Sequence, residues 1–453
     1  MGGLFFINFL KYCLCMTIRK AVAVIFQFSN QIFEIQRQDF LKAFPGYTAF
    51  PGGKVDELDK VDSFEDTLLN ALFRETKEEL GIDIQELQSK NMIRELSLFA
   101  KATSPDYNPN RYETYFFKII LTKKIEFNLD RNEFKSASWL KCSELLYEFN
   151  TGQRLMVTPV KKIVELLGKN FDHSEFSDLD VRDYREIPVI EPIKNLLQIM
   201  PKSNTLPPAS RTNMFVVGDD EKLIVDPSPS SLEEYRNMLV SIKHFRITKI
   251  FITHHHKDHH QYSNSLARYL GVPIYLSKDS FVRISKKFGE SYFENIEVIF
   301  IEDGMIIHKW LGKELCVVSI PGHDEGHFAL MPLSKEWCIV GDLFQGVGTV
   351  VIGDDEGDMQ KYFNSLNKII NIKPQFIFPS HGIGVGGTKI LKDILEHRIM
   401  REEQILKLML ENKTPSECLE IIYKNIPCKL KKYALKNIHS HIDKLVQEKK
   451  LKI

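Results

Sequence analysis

The run ITKIFITHHHKDHH, residues 247–260, constrains the fold of this chain more than any other stretch. Its first half is β-branched and apolar and predicts a buried strand. Its second half delivers His254, His256, Asp258 and His259 in the pattern H-x-H-x-D-H. Alternate residues on an extended segment point the same way, so His254 and His256 are able to share one ion. The turn that follows presents Asp258 and His259 to a second ion. Imidazole completed by carboxylate is a donor set that Zn²⁺ favours. A solvated polar loop is the alternative reading of the same residues.

Three later residues share this setting. VVSIPGH puts His323 after an apolar run and a Pro-Gly turn, CIVGD puts Asp342 at a strand end, and FIFPSHG puts His381 at another. The carboxyl ends of strands are where α/β sheets gather their sites. Any one of these histidines alone is more often a surface or satisfied core group. Residues 201–385 alternate short β-rich runs with helical stretches, which reads as α/β.

Together these stretches resemble the five motifs of the metallo-β-lactamase fold, and TN-MFVVG-x4-LIVDPS (Thr212 to Ser228) is similar to its opening strands. The resemblance implies an αββα sandwich over 201–385 and two zinc ions. His254, His256 and His323 would hold one zinc, Asp258, His259 and His381 the other, with Asp342 bridging both. It also implies water activated between the ions as nucleophile, oriented by Asp258. His255, His260 and His327 receive no ligand role, although His327 is a candidate for holding a ligand or lining the cleft.

A second constellation precedes the first. In FPGGKVDELDKVDSFEDTLLNALFRETKEELGI, residues 50–82, a helix places Glu75, Glu78 and Glu79 at i, i+3 and i+4 on one face. Like charges at that spacing destabilise a helix by a few tenths of a kcal/mol per pair, and a hard cation reverses that effect. Leu68, Ala71, Leu72 and Thr76 mark the expected buried side. A solvated acidic face partnered by Arg74 and Lys77 is the alternative. The order FPGG…REtkEELGI resembles the Nudix box, matched by Arg74, Glu75, Glu78, Glu79, Gly81 and Ile82. The resemblance implies an α/β/α sandwich over 17–170, Mg²⁺ or Mn²⁺ held by the three glutamates, Arg74 orienting them, and hydrolysis of a nucleoside-diphosphate-linked substrate. Glu78 and Arg74 would be catalytic. The loop from Gly53 to Arg74 is longer than the family's, and its upstream glutamate falls on Asp66 beside Glu65. Arg37, Lys42, Gly46 and Phe50 resemble the signature of coenzyme A diphosphatases, with Lys42 in place of an arginine. That makes Arg37, Lys42, Gly52 and Gly53 candidate substrate-binding residues and a CoA-type or other small diphosphate a candidate substrate.

Residues 389–453 carry fifteen Lys/Arg against nine Asp/Glu, in a chain whose total formal charge is zero. HRIMREEQILKLML has helical periodicity, and KYALKNIHSHIDKLVQEKKLKI reads as a helix running into a short strand. A solvated helical oligomerisation tail is one reading. Arg398, Arg401, Glu402, Ala434, Asn437, His441, Lys444 and Leu445 instead resemble the small winged-helix domain of the β-lactamase-like-protein-2 family, although Lys449 stands where that family has glycine. The resemblance implies a winged helix over 386–453 and single-stranded RNA as a candidate partner, cleaved by the zinc site. Thioester hydrolysis of the hydroxyacylglutathione-hydrolase or acyl-CoA type is the alternative, as is one domain retained only to bind a ligand or RNA.

Seven scattered cysteines argue against a disulfide framework and for a reducing compartment. The apolar start MGGLFFINFLKYCLC is interrupted by Asn8 and Lys11 and falls short of the roughly 20 residues a membrane span needs. Residues 1–16 are read as an extension, and a cytoplasmic location is expected. Residues 171–200, polar and acidic at first, are read as a linker with an entry strand. A multidomain α/β and α+β architecture is thus expected.

Overall fold

The computed structural model describes residues 18–105, 111–180, 187–353 and 356–452, so the expected extension at 1–16 lies outside the described residues. The described chain forms two compact units, changing over between residues 184 and 195.

In the first unit, Arg19–Phe28 lies parallel to Tyr112–Leu121, which pairs antiparallel with Ile93–Thr103. Gln31–Arg37 pairs with Phe134–Leu140 on the other side of the sheet. The strand AVAVIF is continuously apolar because both its faces are covered. Val22, Val24 and Phe26 pack with Leu68, Ala71 and Leu72 of the helix Phe64–Leu80. Ala23 and Ile25 pack the other way, against Leu145, Phe149, Ile163 and Val164 of the helices Cys142–Asn150 and Thr158–Lys169. Each large side chain so buried stabilises the unit by about 1.5–3 kcal/mol. Thr76 is buried on the same helix face, as its spacing predicts.

The expected linker departs from expectation at its start. Ser177–Asp178 adds a short parallel strand beside Ala100 and Lys101. Its acidic residues are used internally, because Lys101 lies 3.5 Å from Asp178 and Thr103 donates its hydroxyl to Asp180 at 3.0 Å. Polar composition here satisfies a sheet edge.

The second unit stacks two sheets. One runs in the order Val298–Phe300, Ile274–Leu276, Arg246–Phe251, Glu221–Val225, Met214–Val217, Leu196–Ile199. The other runs Ile306–Trp310, Lys313–Ser319, Phe328–Pro332, Trp337–Ile339, Phe376–Phe378, Val385–Gly386. The helices Leu232–Ile242, Ser263–Leu270 and Lys278–Phe288 cover the first sheet, and Met359–Ile372 covers the second, giving four layers. Phe328 N–H donates to the Thr253 carbonyl at 2.9 Å, which ties the sheets together beside the histidine run.

The C-terminal region forms three helices, Lys389–Leu410, Pro415–Ile422 and Cys428–Gln447, around Ile405, Cys418, Ile438 and Leu445. The expected terminal strand is not found among the described residues: after Gln447 the chain turns through Lys449 at φ 59° and buries Leu451. A strand needs a pairing partner, and the helices leave none nearby. No helix among the described residues is long and apolar enough to cross a membrane.

Candidate metal centres

The histidine centre is assembled from both sheets. His254 follows Arg246–Phe251, while His323, Asp342 and His381 follow Lys313–Ser319, Trp337–Ile339 and Phe376–Phe378. His254 Nε2 and His323 Nε2 each lie 3.0 Å from His256 Nδ1. Three imidazole nitrogens so converged satisfy a cation better than one another. Asp258 and His259 come from the short helix Lys257–His260. The Asp258 carboxylate is 3.6 Å from His381 Nε2 and 3.9 Å from His259 Nε2. Asp342 faces both groups, 3.7 Å from His323, 3.8 Å from His259 and 3.5 Å from His381.

The remaining ring nitrogens are already engaged. His323 Nδ1 bonds the Val351 carbonyl at 2.9 Å, His381 Nδ1 the Arg211 carbonyl at 2.9 Å, and His259 Nδ1 the Asp226 carboxylate at 2.8 Å. A carbonyl accepts, so the bonds of His323 and His381 put the proton on Nδ1 and leave Nε2 as a lone-pair donor facing the centre, and the Asp226 carboxylate likewise accepts from His259 Nδ1. His259 Nε2 and Asp342 Oδ1 are buried without a hydrogen-bond partner. Buried polar atoms are rarely left so, and a divalent cation is the group that fits this donor set.

Electrostatics agree for the three-histidine group. At His259 burial opposes a charge, but Asp258, Asp226 and Asp342 raise it well above the usual range, so a cation bound there takes the place of its proton. Burial and the neighbouring His256 push His323 down to about 4, so it is neutral and able to ligate. Burial and His259 likewise hold His254 well below the usual range. Burial opposes the charge of Asp342, but His381 and His259 override it and keep the carboxylate ionised.

The carboxylate site lies in the first unit. Arg74 donates to Glu75 at 2.9 Å and to Glu78 at 3.2 Å, while Gly52 N–H donates to Glu79 at 2.8 Å. A Cβ on Gly53 would stand 2.3 Å from the Glu75 carboxylate, so only glycine admits that approach. Burial raises the Glu79 carboxyl to about 8, and the charge of Glu75 adds to the shift. Carboxylates that resist ionisation side by side suit a hard divalent cation. Among the described residues, however, groups of three or more ligand atoms within 4.8 Å occur only in the histidine region. Arg74 Nη1 bridges Glu75 and Glu78, while Glu79 is held separately by the Gly52 N–H.

Residues 207–381 match the family model for the metallo-beta-lactamase superfamily, and residues 16–158 match that for the NUDIX domain. The chain joins a NUDIX domain to a metallo-beta-lactamase superfamily domain. Both families are hydrolases that bind divalent metals. The chain is 27% identical over 250 residues to a "Beta-lactamase-like protein 2 homolog" of Caenorhabditis elegans, covering 52% of this chain and 79% of that protein. It is 28% identical over 151 residues to a "Hydroxyacylglutathione hydrolase" of Baumannia cicadellinicola, covering 33% of this chain and 51% of that protein. The crystal structure of a metallo-beta-lactamase family protein from Thermus thermophilus aligns with a TM-score of 0.46 at 18% identity, covering 56% of this chain and 94% of that one.

Several residues around the metallo-beta-lactamase-type centre were not assigned from sequence. Asp226 holds His259 and accepts both the backbone N–H and the hydroxyl of Thr253, at 2.8 and 2.7 Å. Its signal was available, since LIVDP ends an apolar strand with an aspartate as CIVGD does. Glu356 bonds His255 Nε2 at 3.1 Å and His256 Nε2 at 3.0 Å, and Asp324 pairs with the other face of His255. Burial opposes a charge on His255, but Asp324 and Glu356 raise it to about 9. Nothing local in the sequence links these positions. His327 is buried beside His254, with ring centroids 4.8 Å apart, and His260 bonds the Tyr292 hydroxyl at 2.9 Å.

In the NUDIX domain the missed residue is Asp59. It is buried and accepts from Arg74 Nε at 2.9 Å and Nη2 at 2.8 Å, a fork that fixes the guanidinium. Asp66 and Glu65, where the upstream glutamate falls, are exposed on the first turn of the helix. Arg37 donates to the Ala43 carbonyl at 3.0 Å and lies 3.6 Å from Glu133, and Lys42 is exposed. Lys77 pairs with Asp83 at 3.2 Å and takes no part in the glutamate cluster.

Proposed function

We propose that this chain is a hydrolase with two metal-dependent sites, a Mg²⁺- or Mn²⁺-dependent NUDIX diphosphatase and a dizinc metallo-beta-lactamase-type hydrolase. The observation that carries the second half is the convergence of His254, His256 and His323 beside an unpartnered His259 Nε2 and Asp342 Oδ1. His254, His256 and His323 hold one zinc, Asp258, His259 and His381 the other, and Asp342 reaches both. Bound divalent ions supply a water made nucleophilic near neutral pH and stabilise charge in the transition state. Asp258, half-buried at the mouth of the centre, orients that water. In the NUDIX domain Glu75, Glu78 and Glu79 hold the harder ion, Arg74 aligns them through Asp59, and the Gly52–Gly53 turn brings backbone close to the substrate. Arg37 and Lys42 attract its phosphates.

For the zinc site single-stranded RNA is the first candidate, supported by the resemblance of the C-terminal helices and their basic excess. A thioester is the second, favoured by the similarity to a hydroxyacylglutathione hydrolase and by internal pairing of C-terminal lysines: Lys431 with Glu420, Lys413 with Glu417 and Lys444 with Glu402. Such pairing leaves fewer free charges for a phosphate backbone. The test is a paired screen of CoA, ADP-ribose, nucleoside triphosphates, thioesters and single-stranded RNA on wild type, His256→Ala and Glu78→Gln. Zinc-site turnover should vanish with His256→Ala and diphosphatase turnover with Glu78→Gln. Variants equal to wild type on every active substrate sink the assignment, as does a zinc-loaded chain holding fewer than about two zinc ions.

A further inference from the structure

The C-terminal residues Arg398 and Asn437 are buried, yet they touch none of the ligands. They face the loop 350–353, on the far side of which His323 is held. The Arg398 guanidinium donates to the Val350 carbonyl at 2.5 Å and sits over the Tyr362 ring. The Asn437 side-chain oxygen accepts the Ile352 N–H at 2.7 Å. Val351, between those two anchors, offers the carbonyl that orients His323 Nδ1 at 2.9 Å. Gly353 then passes so close to the helix Cys428–Gln447 that a Cβ there would meet Lys436 Cβ at 2.9 Å and its carbonyl oxygen at 3.1 Å. The same stretch leads to Glu356, which bonds His256 Nε2.

We infer that the C-terminal helices act as a brace for the metal centre: Arg398 and Asn437 are positioning residues that clamp the loop 350–353 and thereby orient His323, and with it the three-histidine position. This rests on the proposed reading of the histidine cluster as a metal centre. The brace is itself stiff. Glu402 on the helix Lys389–Leu410 accepts from Lys444 at 2.6 Å and from His441 at 3.0 Å on the helix Cys428–Gln447, so the two helices carrying the clamp are locked together. A ligand whose outer hydrogen-bond partner moves loses its fixed tautomer and ring angle, which typically costs roughly 10–100-fold in metal affinity.

The test uses the full chain with Zn²⁺ or Co²⁺ alone. Competition against a chromophoric chelator reads affinity, and the Co²⁺ ligand-field spectrum reads coordination geometry. Asn437→Ala and Gly353→Ala should each weaken the three-histidine site by roughly 10–100-fold and shift the Co²⁺ spectrum. Asn437→Asp keeps the acceptor and should match wild type. Far-UV circular dichroism establishes that each variant is folded, and Gly353→Ala carries the test if Asn437→Ala does not fold. Folded Gly353→Ala and Asn437→Ala proteins with wild-type affinity and spectrum overturn the brace. A wild-type chain that binds neither ion overturns the metal-centre reading, and the brace with it.

Discussion

Asp226 and Glu79 show how single residues set these sites. Asp226 fixes the protonated nitrogen of His259 from behind, so Asp226→Asn removes the charge and permits the wrong tautomer. Zinc affinity at the Asp258–His259–His381 position should fall roughly 10–100-fold in chelator competition, with the three-histidine position changed far less. Glu79 is a different case. Burial lifts its carboxyl to about 8, while an unfolded glutamate titrates near about 4.3. Folding holds a proton between those values, so this group's contribution to stability falls as pH rises from about 4.3 to about 8. Glu79→Gln removes that loss. In metal-free protein the variant's Tm advantage over wild type should be small at pH 5 and grow to several degrees at pH 8. Added Mg²⁺ should close the gap, because wild type alone gains the ion. An advantage that stays constant with pH refutes the assignment of the shift.

At the scale of elements, the strands and helices owe their places to periodicity and the brace to buried charge. Glu402 is nearly inaccessible, and Lys444 and His441 depend on it. Glu402→Ala leaves the Lys444 ammonium only Glu448 as a carboxylate partner and takes the carboxylate from His441 Nδ1, which costs about 1–3 kcal/mol. Urea denaturation followed by circular dichroism should show that loss, whereas Lys431→Ala at the exposed Glu420 pair should cost under about 1 kcal/mol. The helix Phe64–Leu80 is legible from FEDTLLNALFRETKEEL because the apolar spacing and the carboxylate spacing agree on one helical register. The terminal strand fails because KKLKI forms a strand only if a partner lies beside it, and pairing is not a local property. The acidic stretch 171–180 departs from a linker for the same reason: Lys101 and Thr103, which its carboxylates satisfy, lie over seventy residues earlier.

For the whole molecule, two candidate ligand sets, one of carboxylates and one rich in imidazole, lie in separate compact units. Under the proposed function each site fails alone. Glu78→Gln should abolish diphosphatase turnover while leaving zinc content and zinc-site turnover unchanged, and His256→Ala should do the reverse. Loss of both activities in either variant, with both units still folded, refutes independent sites. Much of this organisation was readable in the sequence alone. The ligand-type residues stand at strand ends and on one helical face, and both patterns come from backbone periods of two and 3.6. The chain order determined which side chains emerge at the carboxyl ends of strands. Only the tertiary structure decided what holds them: Asp226 behind His259, Glu356 on His256, Asp59 under Arg74, and Asn437 clamping the loop that orients His323. Those partners are separated from the groups they bond by 15 to 100 residues. A hydrogen bond depends on distance and angle in space, and sequence separation carries neither.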